Sequence, residues 1–214
     1  MVHAECIFNS GKRHVFYRNS SIFADGFIMT FTINMNKEYL NNFESKLTDE
    51  LLRLCTSCKM LDGTLLASDD IDEHWEKLAP KYIADAVPQI ADYPTVSVAW
   101  AGYLGAAIAN GWDKNWTACS LAPYESFYGE QEFDDMDEHI VRDLLRMPLD
   151  SPDAKALEGM LRKCGEASVA RIRHEQIEPQ SPMAFYVFAR TAKVMFRIGA
   201  ALELKRLGYK FEKI

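Results

Sequence analysis

From Ser181 to Leu207 apolar side chains fall on almost every face of a helix: Phe185, Val187, Phe188, Val194, Met195, Phe196, Ile198 and Leu202. A helix that is apolar all round has to be enclosed by other elements. Ser181-Pro182 opens the segment with a capping hydroxyl and a residue whose fixed φ suits the first turn, and Gly208 closes it. The chain must therefore build a bundle with its last helix inside.

The partners of that helix are legible from their spacing. Leu40, Phe43, Leu47, Leu51, Leu54, Cys58 and Leu61 return every third or fourth residue and form one stripe of a helix over 37–61, which Asp62-Gly63 ends. Ser68 or Asp69 caps a second helix as far as Leu78. Pro80 breaks it or begins a new turn, and a short helix continues over 82–90. Pro94 opens a helix to about Asn110. Ala101, Gly105 and Ala109, with Gly102 and Ala106, give that helix a small-residue stripe that admits a close neighbour. Residues 112–133 read as an irregular aromatic loop packed across helix ends and as the expected wall of a pocket. Helices over 135–147 and 152–176 complete the set.

Residues 1–33 lack helical periodicity. Val15 to Tyr17 and Phe27 to Ile33 are rich in β-branched and aromatic residues, so two short strands are an expectation there. The segment reads as an appendage, and an over-long start-codon assignment with Met29 or Met35 as the true start would account for it. The intact mass of natively expressed protein tests that idea. The expected fold is all-α: a single-domain bundle of about six or seven helices over 34–214 around a buried C-terminal helix, plus a non-helical appendage over 1–33.

Composition narrows the function classes. A net charge of −7 argues against a nucleic-acid binder. The longest uncharged stretch, Tyr93 to Trp112, contains Thr95, Ser97, Tyr103, Asn110 and three glycines, so it reads as a buried core helix and not a membrane span. Five cysteines without framework spacing suit a reducing compartment, and a cytoplasmic location is expected. Cys55-Thr56-Ser57-Cys58 has no second pair to complete a zinc site, and both thiols read as small buried hydrophobes.

One hexapeptide occurs twice. Asp69-Asp70-Ile71-Asp72-Glu73-His74 returns as Asp134-Asp135-Met136-Asp137-Glu138-His139. On a helix Asp70 and His74 share a face, as do Asp135 and His139. Two such helices could supply two carboxylates and two imidazoles to one divalent metal, as bundle-core sites do. The simpler reading is two helix starts, with acids in the first turn and Asp69/Asp72 and Asp134/Asp137 acting as capping boxes. The likeness ends after six residues, so no domain is duplicated.

Charge is unevenly spread. Between Asp113 and Glu138 stand eight acids and one base, whereas from Ser181 onward stand seven bases and two acids. Arg190, Lys193 and Arg197 share one face of the last helix. They either pair internally, with the acidic loop as one available partner, or hold an anion together with Lys205 and Arg206.

No known family is evident, and no nucleophile elbow, HExxH, phosphate loop or dinucleotide fingerprint is present. The expected function is that of a non-catalytic helical domain acting through protein–protein interaction or self-association, with no cofactor and no membrane. The alternatives are a metal-dependent hydrolase built on Asp70, His74, Asp135 and His139, and an anion-binding module built on Arg190, Lys193 and Arg197.

Overall fold

A computed structural model describes the backbone of residues 22–210 and the side chains of 36–210. The chain divides into two units, Met1–Glu38 and Tyr39–Ile214. The described elements are α1 (Ile22–Ser57), α2 (Asp69–Ala86), α3 (Pro94–Leu121), a single turn α4 (Met136–His139), α5 (Pro152–His174) and α6 (Pro182–Arg206), joined by short 3₁₀ turns. Among the described residues no named strand occurs and no helix is long and apolar enough to cross a membrane.

α6 is the central element. The Ser181 hydroxyl accepts the Ala184 N–H at 3.1 Å, and Gly208 closes the helix at φ +95°. The Tyr209 N–H then returns to the Leu204 carbonyl at 3.0 Å. Val187, Ala192, Val194, Met195, Phe196, Ile198 and Ala201 are fully enclosed. α3 packs against α6 backbone to backbone. A Cβ added at Gly199 would lie 1.8 Å from the Gly102 carbonyl oxygen, and one at Gly105 would lie 1.9 Å from that of Phe196. The small-residue stripe of α3 thus serves tight packing inside the bundle. α5 meets the other side of α3, where Gly165 faces Thr95 and Ala99.

α1 buries Leu40, Phe43, Leu47, Leu51 and Cys55, a continuous stripe of steps three and four. It stops at Ser57, earlier than the expected Leu61. Lys59 takes the left-handed conformation at φ +61° and the Met60 N–H bonds the Cys55 carbonyl at 2.9 Å. This early turn folds Leu61 back into the core and leaves Cys58 exposed, not buried as its place on the stripe suggested. At its other end α1 contains Phe27 to Ile33, so the strand expected there is a helix. Propagating an existing helix adds one hydrogen bond per residue fixed, while an isolated strand has no partner for its backbone. Val15 to Tyr17 lies outside the described residues.

α2 runs unbroken through Pro80, joining two segments expected to be separate. Ile71, Trp75, Leu78, Tyr82 and Ala86 form one buried face across the proline. A proline inside a helix costs about 3 kcal/mol. Each large apolar side chain buried returns about 1.5–3 kcal/mol, so the shared face prevails.

α3 continues past the expected end at Asn110. It bends at Asn115 (φ −164°, ψ 86°) and resumes to Leu121. The Asn115 side-chain oxygen accepts the Ala118 N–H at 3.1 Å, restarting the helix as an internal cap. Trp112 and Trp116 are therefore helical, and the irregular segment shrinks to 122–132. Its Tyr124 and Phe127 are buried, as is Phe133 immediately after it, while Tyr128 is half-buried.

Candidate functional site

The two copies of the hexapeptide fold differently. In the first, Ser68 holds the N-cap position of α2 without a side-chain bond, so the Asp69/Asp72 capping box does not form. The acids still face the helix N-terminus, where the backbone dipole favours them. Asp70 accepts the Trp112 indole N–H at 3.3 Å. The Asp72 carboxylate accepts Arg197 Nε at 3.0 Å and Nη2 at 2.7 Å, one on each oxygen. His74 is 3% exposed, edge-on to Trp116 at 5.4 Å between ring centres, with neither nitrogen hydrogen-bonded among the described residues. Burial, with a smaller contribution from Lys77, holds its pKa below the ordinary histidine value.

In the second copy the expected helix over 135–147 is replaced by three short pieces. Phe133–Asp135 is a 3₁₀ turn, α4 is one turn, and Ile140–Leu144 widens to a π-helix that ends at Arg146 with φ +59°. No side-chain cap forms here either. Asp135 is committed to its own loop: its carboxylate accepts the Gln131 N–H at 3.0 Å and fills the space that a side chain at Gly129 would need. His139 Nδ1 lies 3.0 Å from Asp143, whose carboxyl is held low chiefly by Arg142.

The four residues Asp70, His74, Asp135 and His139 are thus engaged with different neighbours. No three His, Cys, Asp or Glu side chains gather into a metal-binding group among the described residues. Asp70 and His74 both lie on α2, but Asp135 precedes α4 with non-helical backbone, so the second copy lacks the regular helix that a shared face with His139 requires.

Arg190, Lys193 and Arg197 do share a face of α6, and each is paired. Arg190 bonds Glu44, Lys193 reaches Glu76 at 3.2 Å, and Arg197 holds Asp72. Lys205 pairs with Asp62, and Arg206 with the buried Glu203, which also accepts Asn110 at 2.6 Å. Of the two expectations, internal pairing is the one seen, but the partners come from α1, α2, the 58–68 turn and α6 itself, not from the acidic loop. With its cations neutralised, this face presents little free positive field to an anion.

The acidic segment instead borders an apolar cleft. Gln89, Tyr93, Val96, Trp100 and Asp134 line a depression of about 300 Å³ between the start of α3 and the 3₁₀ turn after Phe133. Tyr93 is 60% exposed, and Ile90 and Val87, three and six residues earlier, are exposed as well. Tyr93, Val96 and Trp100 follow at steps of three and four along the start of α3, which brings them to one side. The 3₁₀ turn at Val87–Gln89 precedes α3 and brings Gln89 to the cleft wall. The floor is rigid. Trp100 stacks edge-on against Phe133 at 4.7 Å, Phe133 against Tyr82, Tyr82 against Trp75, and Trp75 against Phe196 of the central helix. Sequence reasoning pointed to the aromatic loop as the pocket wall. It missed Tyr93, Val96 and Trp100, because these looked like part of a wholly buried helix.

Compared with models of protein families, with curated proteins and with solved structures, the chain matches none.

Proposed function

We propose that this protein is a non-catalytic binding domain whose cleft at Tyr93 and Trp100 receives an apolar, lysine- or arginine-bearing segment of a partner protein. The observation that carries this reading is the exposed ring of Tyr93 in a cleft lined by Val96 and Trp100, with Val87 and Ile90 of the preceding segment exposed as well. Monomers rarely expose large contiguous apolar surface without using it, and aromatic anchors dominate binding energies. Asp134 within the cleft supplies negative charge that a basic segment complements. The same charge disfavours a second copy of this chain as the occupant, since two acidic rims would then face each other. A reducing compartment such as the cytoplasm suits the free thiols of Cys55 and Cys164, whose sulfurs are 3.7 Å apart.

The test is fluorescence anisotropy with labelled amphipathic helical peptides, one of leucine and lysine and one of leucine and glutamate. The lysine peptide should bind and the glutamate peptide should not. Tyr93→Ala, at an exposed position, should weaken binding about tenfold while leaving the melting temperature unchanged. Equal binding of both peptides, indifference to Tyr93→Ala, or a dimer in sedimentation that Tyr93→Ala dissolves would each overturn the reading.

A further inference from the structure

Three thiols gather where the end of α1 meets α5. Cys55 and Cys164 are fully buried, and their sulfurs are 3.7 Å apart. Cys58, three residues after Cys55, is exposed. Its charge bears on Cys164, so it stands close to the buried pair. The Cys58 N–H bonds the Leu54 carbonyl at 3.1 Å, which keeps Cys58 in helical register with Cys55. Lys59 then takes the left-handed conformation at φ +61° and ends the turn. Cys58 thus belongs to a helix end, where opening is easiest.

Burial explains Cys55 and Cys164 taken singly, as small apolar side chains. Their mutual contact adds chemistry that neither has alone. A disulfide sets its sulfurs about 2.05 Å apart, so bond formation takes a further approach of about 1.7 Å, shared between two side chains on facing helices. With Cys164 as donor, the S–H···S contact holds the Cys55 thiol below its ordinary range against the opposing effect of burial. The same contact pushes Cys164 up, and burial adds to it. Cys55 is thereby the better nucleophile of the two. Neither thiol is reached from solution, whereas Cys58 is.

We infer that Cys55 and Cys164 are a redox-active pair that closes to a reversible disulfide, and that Cys58 is the thiol through which a small disulfide oxidant, oxidised glutathione, reaches them. The Cys58 thiolate attacks one sulfur of glutathione disulfide. That S–S bond breaks, and the departing glutathione thiolate takes up the proton that Cys58 gave. Cys55 then attacks the Cys58 sulfur and expels the second glutathione, which carries off the Cys55 proton. Cys164 attacks the Cys55 sulfur last, and its proton passes to the Cys58 sulfur that leaves. At this step Cys55 no longer accepts from Cys164, so the main cause that held Cys164 up is gone. In balance, two protein thiols are oxidised to one disulfide, one glutathione disulfide is reduced to two thiols, and Cys58 is regenerated.

The bond joins residues 109 apart in the chain. In the reduced protein Arg171 reaches from α5 to Glu50 of α1 at 3.8 Å, across a half-exposed rim where ion pairs contribute little. A covalent tie fixes the end of α1 to α5 and removes freedom from the unfolded chain, the more so for a long loop. Disulfides that form in reducing compartments are usually transient and redox-sensing.

The experiment treats the reduced, native full chain with oxidised glutathione, quenches with N-ethylmaleimide, and maps the linkages by mass spectrometry of unreduced digests. The expected end product is a Cys55–Cys164 linkage with Cys58 alkylated, preceded by a transient glutathione adduct on Cys58. Cys58→Ser, at an exposed position, should slow the linkage about tenfold or more. The oxidised protein should melt about 5–15 °C higher than the reduced one, and dithiothreitol should reverse the shift. A stable glutathione adduct on Cys58 as the end product, a principal linkage to Cys6 or Cys119, or a linkage that forms only in denaturant would each overturn the pair. A linkage rate unchanged in Cys58→Ser would overturn the entry route, and an oxidised protein that melts no higher would overturn the locking of α1 to α5.

Discussion

Gly199→Ala and Gly159→Ala are the same substitution in two helices, and the structure assigns them opposite signs. At Gly199 the added carbon would stand 1.8 Å from the Gly102 carbonyl oxygen and 2.5 Å from its carbon. Ordinary contact begins at 3.4 Å, and the obstacle is backbone, so no rotamer change relieves the clash. α3 and α6 would have to separate by about 1.5 Å. A gap of 0.5–1 Å already forfeits a quarter to a half of each dispersion contact along a seam. Overpacking of this kind costs about 1–3 kcal/mol and occasionally more, and replacing glycine in a helix returns about 0.5–1 kcal/mol. The central position of the seam places Gly199→Ala at the upper end, a net loss of about 2 kcal/mol or more. For a chain of this size that lowers the melting temperature by about 4–8 °C. Gly159 lies inside α5 with nothing within 4 Å of the added carbon. There only the propensity gain remains, and Gly159→Ala should raise the melting temperature by about 1–4 °C. Thermal unfolding followed by circular dichroism measures both. A Gly199→Ala protein as stable as the parent would refute the backbone-to-backbone packing of α3 on α6.

Three further outcomes are expected. His74 has a pKa below that of the unfolded chain, so the unfolded state takes up its proton first. Stability should be complete above about pH 6.5 and fall as pH decreases below it, and His74→Leu should flatten that slope in urea titrations between pH 5 and 7. Asp72 and Asp137 occupy equivalent places in the two hexapeptides but different surroundings. Asp72→Asn should cost about 1–2 kcal/mol by leaving Arg197 without its bidentate partner, while Asp137→Asn should be neutral or stabilising, because it removes a desolvated and unpaired charge; denaturant midpoints decide between these signs. Among the described cysteines, Cys58 should react with a thiol reagent in the native protein, whereas Cys55 and Cys164 should react only on unfolding, as mass mapping of labelled peptides would show.

How far residue spacing reveals a site depends on where its parts come from. Arg190, Lys193 and Arg197 share a face because a helix repeats every 3.6 residues, so their alignment was legible. Their partners Glu44, Asp72 and Glu76 come from other helices, and no local pattern names them. Asp134 facing one cleft and Asp137 and Glu138 facing another could not be read from the hexapeptide, because the 3₁₀ turn over Phe133–Asp135 interrupts the regular helix that would have aligned Asp134 with the α-turn after it.

The sequence by itself determined that this chain forms helices, that the last of them is enclosed, and that α3 carries the small residues a close neighbour needs. These are properties of periodicity, capping and side-chain volume, and they act over a few residues. Tertiary structure decided that the same six residues become a helix start tied to α6 in one place and a broken turn between two clefts in the other. Short-range preferences for acids at a helix entrance are worth about 1 kcal/mol. The burial of Phe133, Met136 and Ile140 on one side, and of Ile71 and Trp75 on the other, outweighs them, and it is set by which core each copy has to fill.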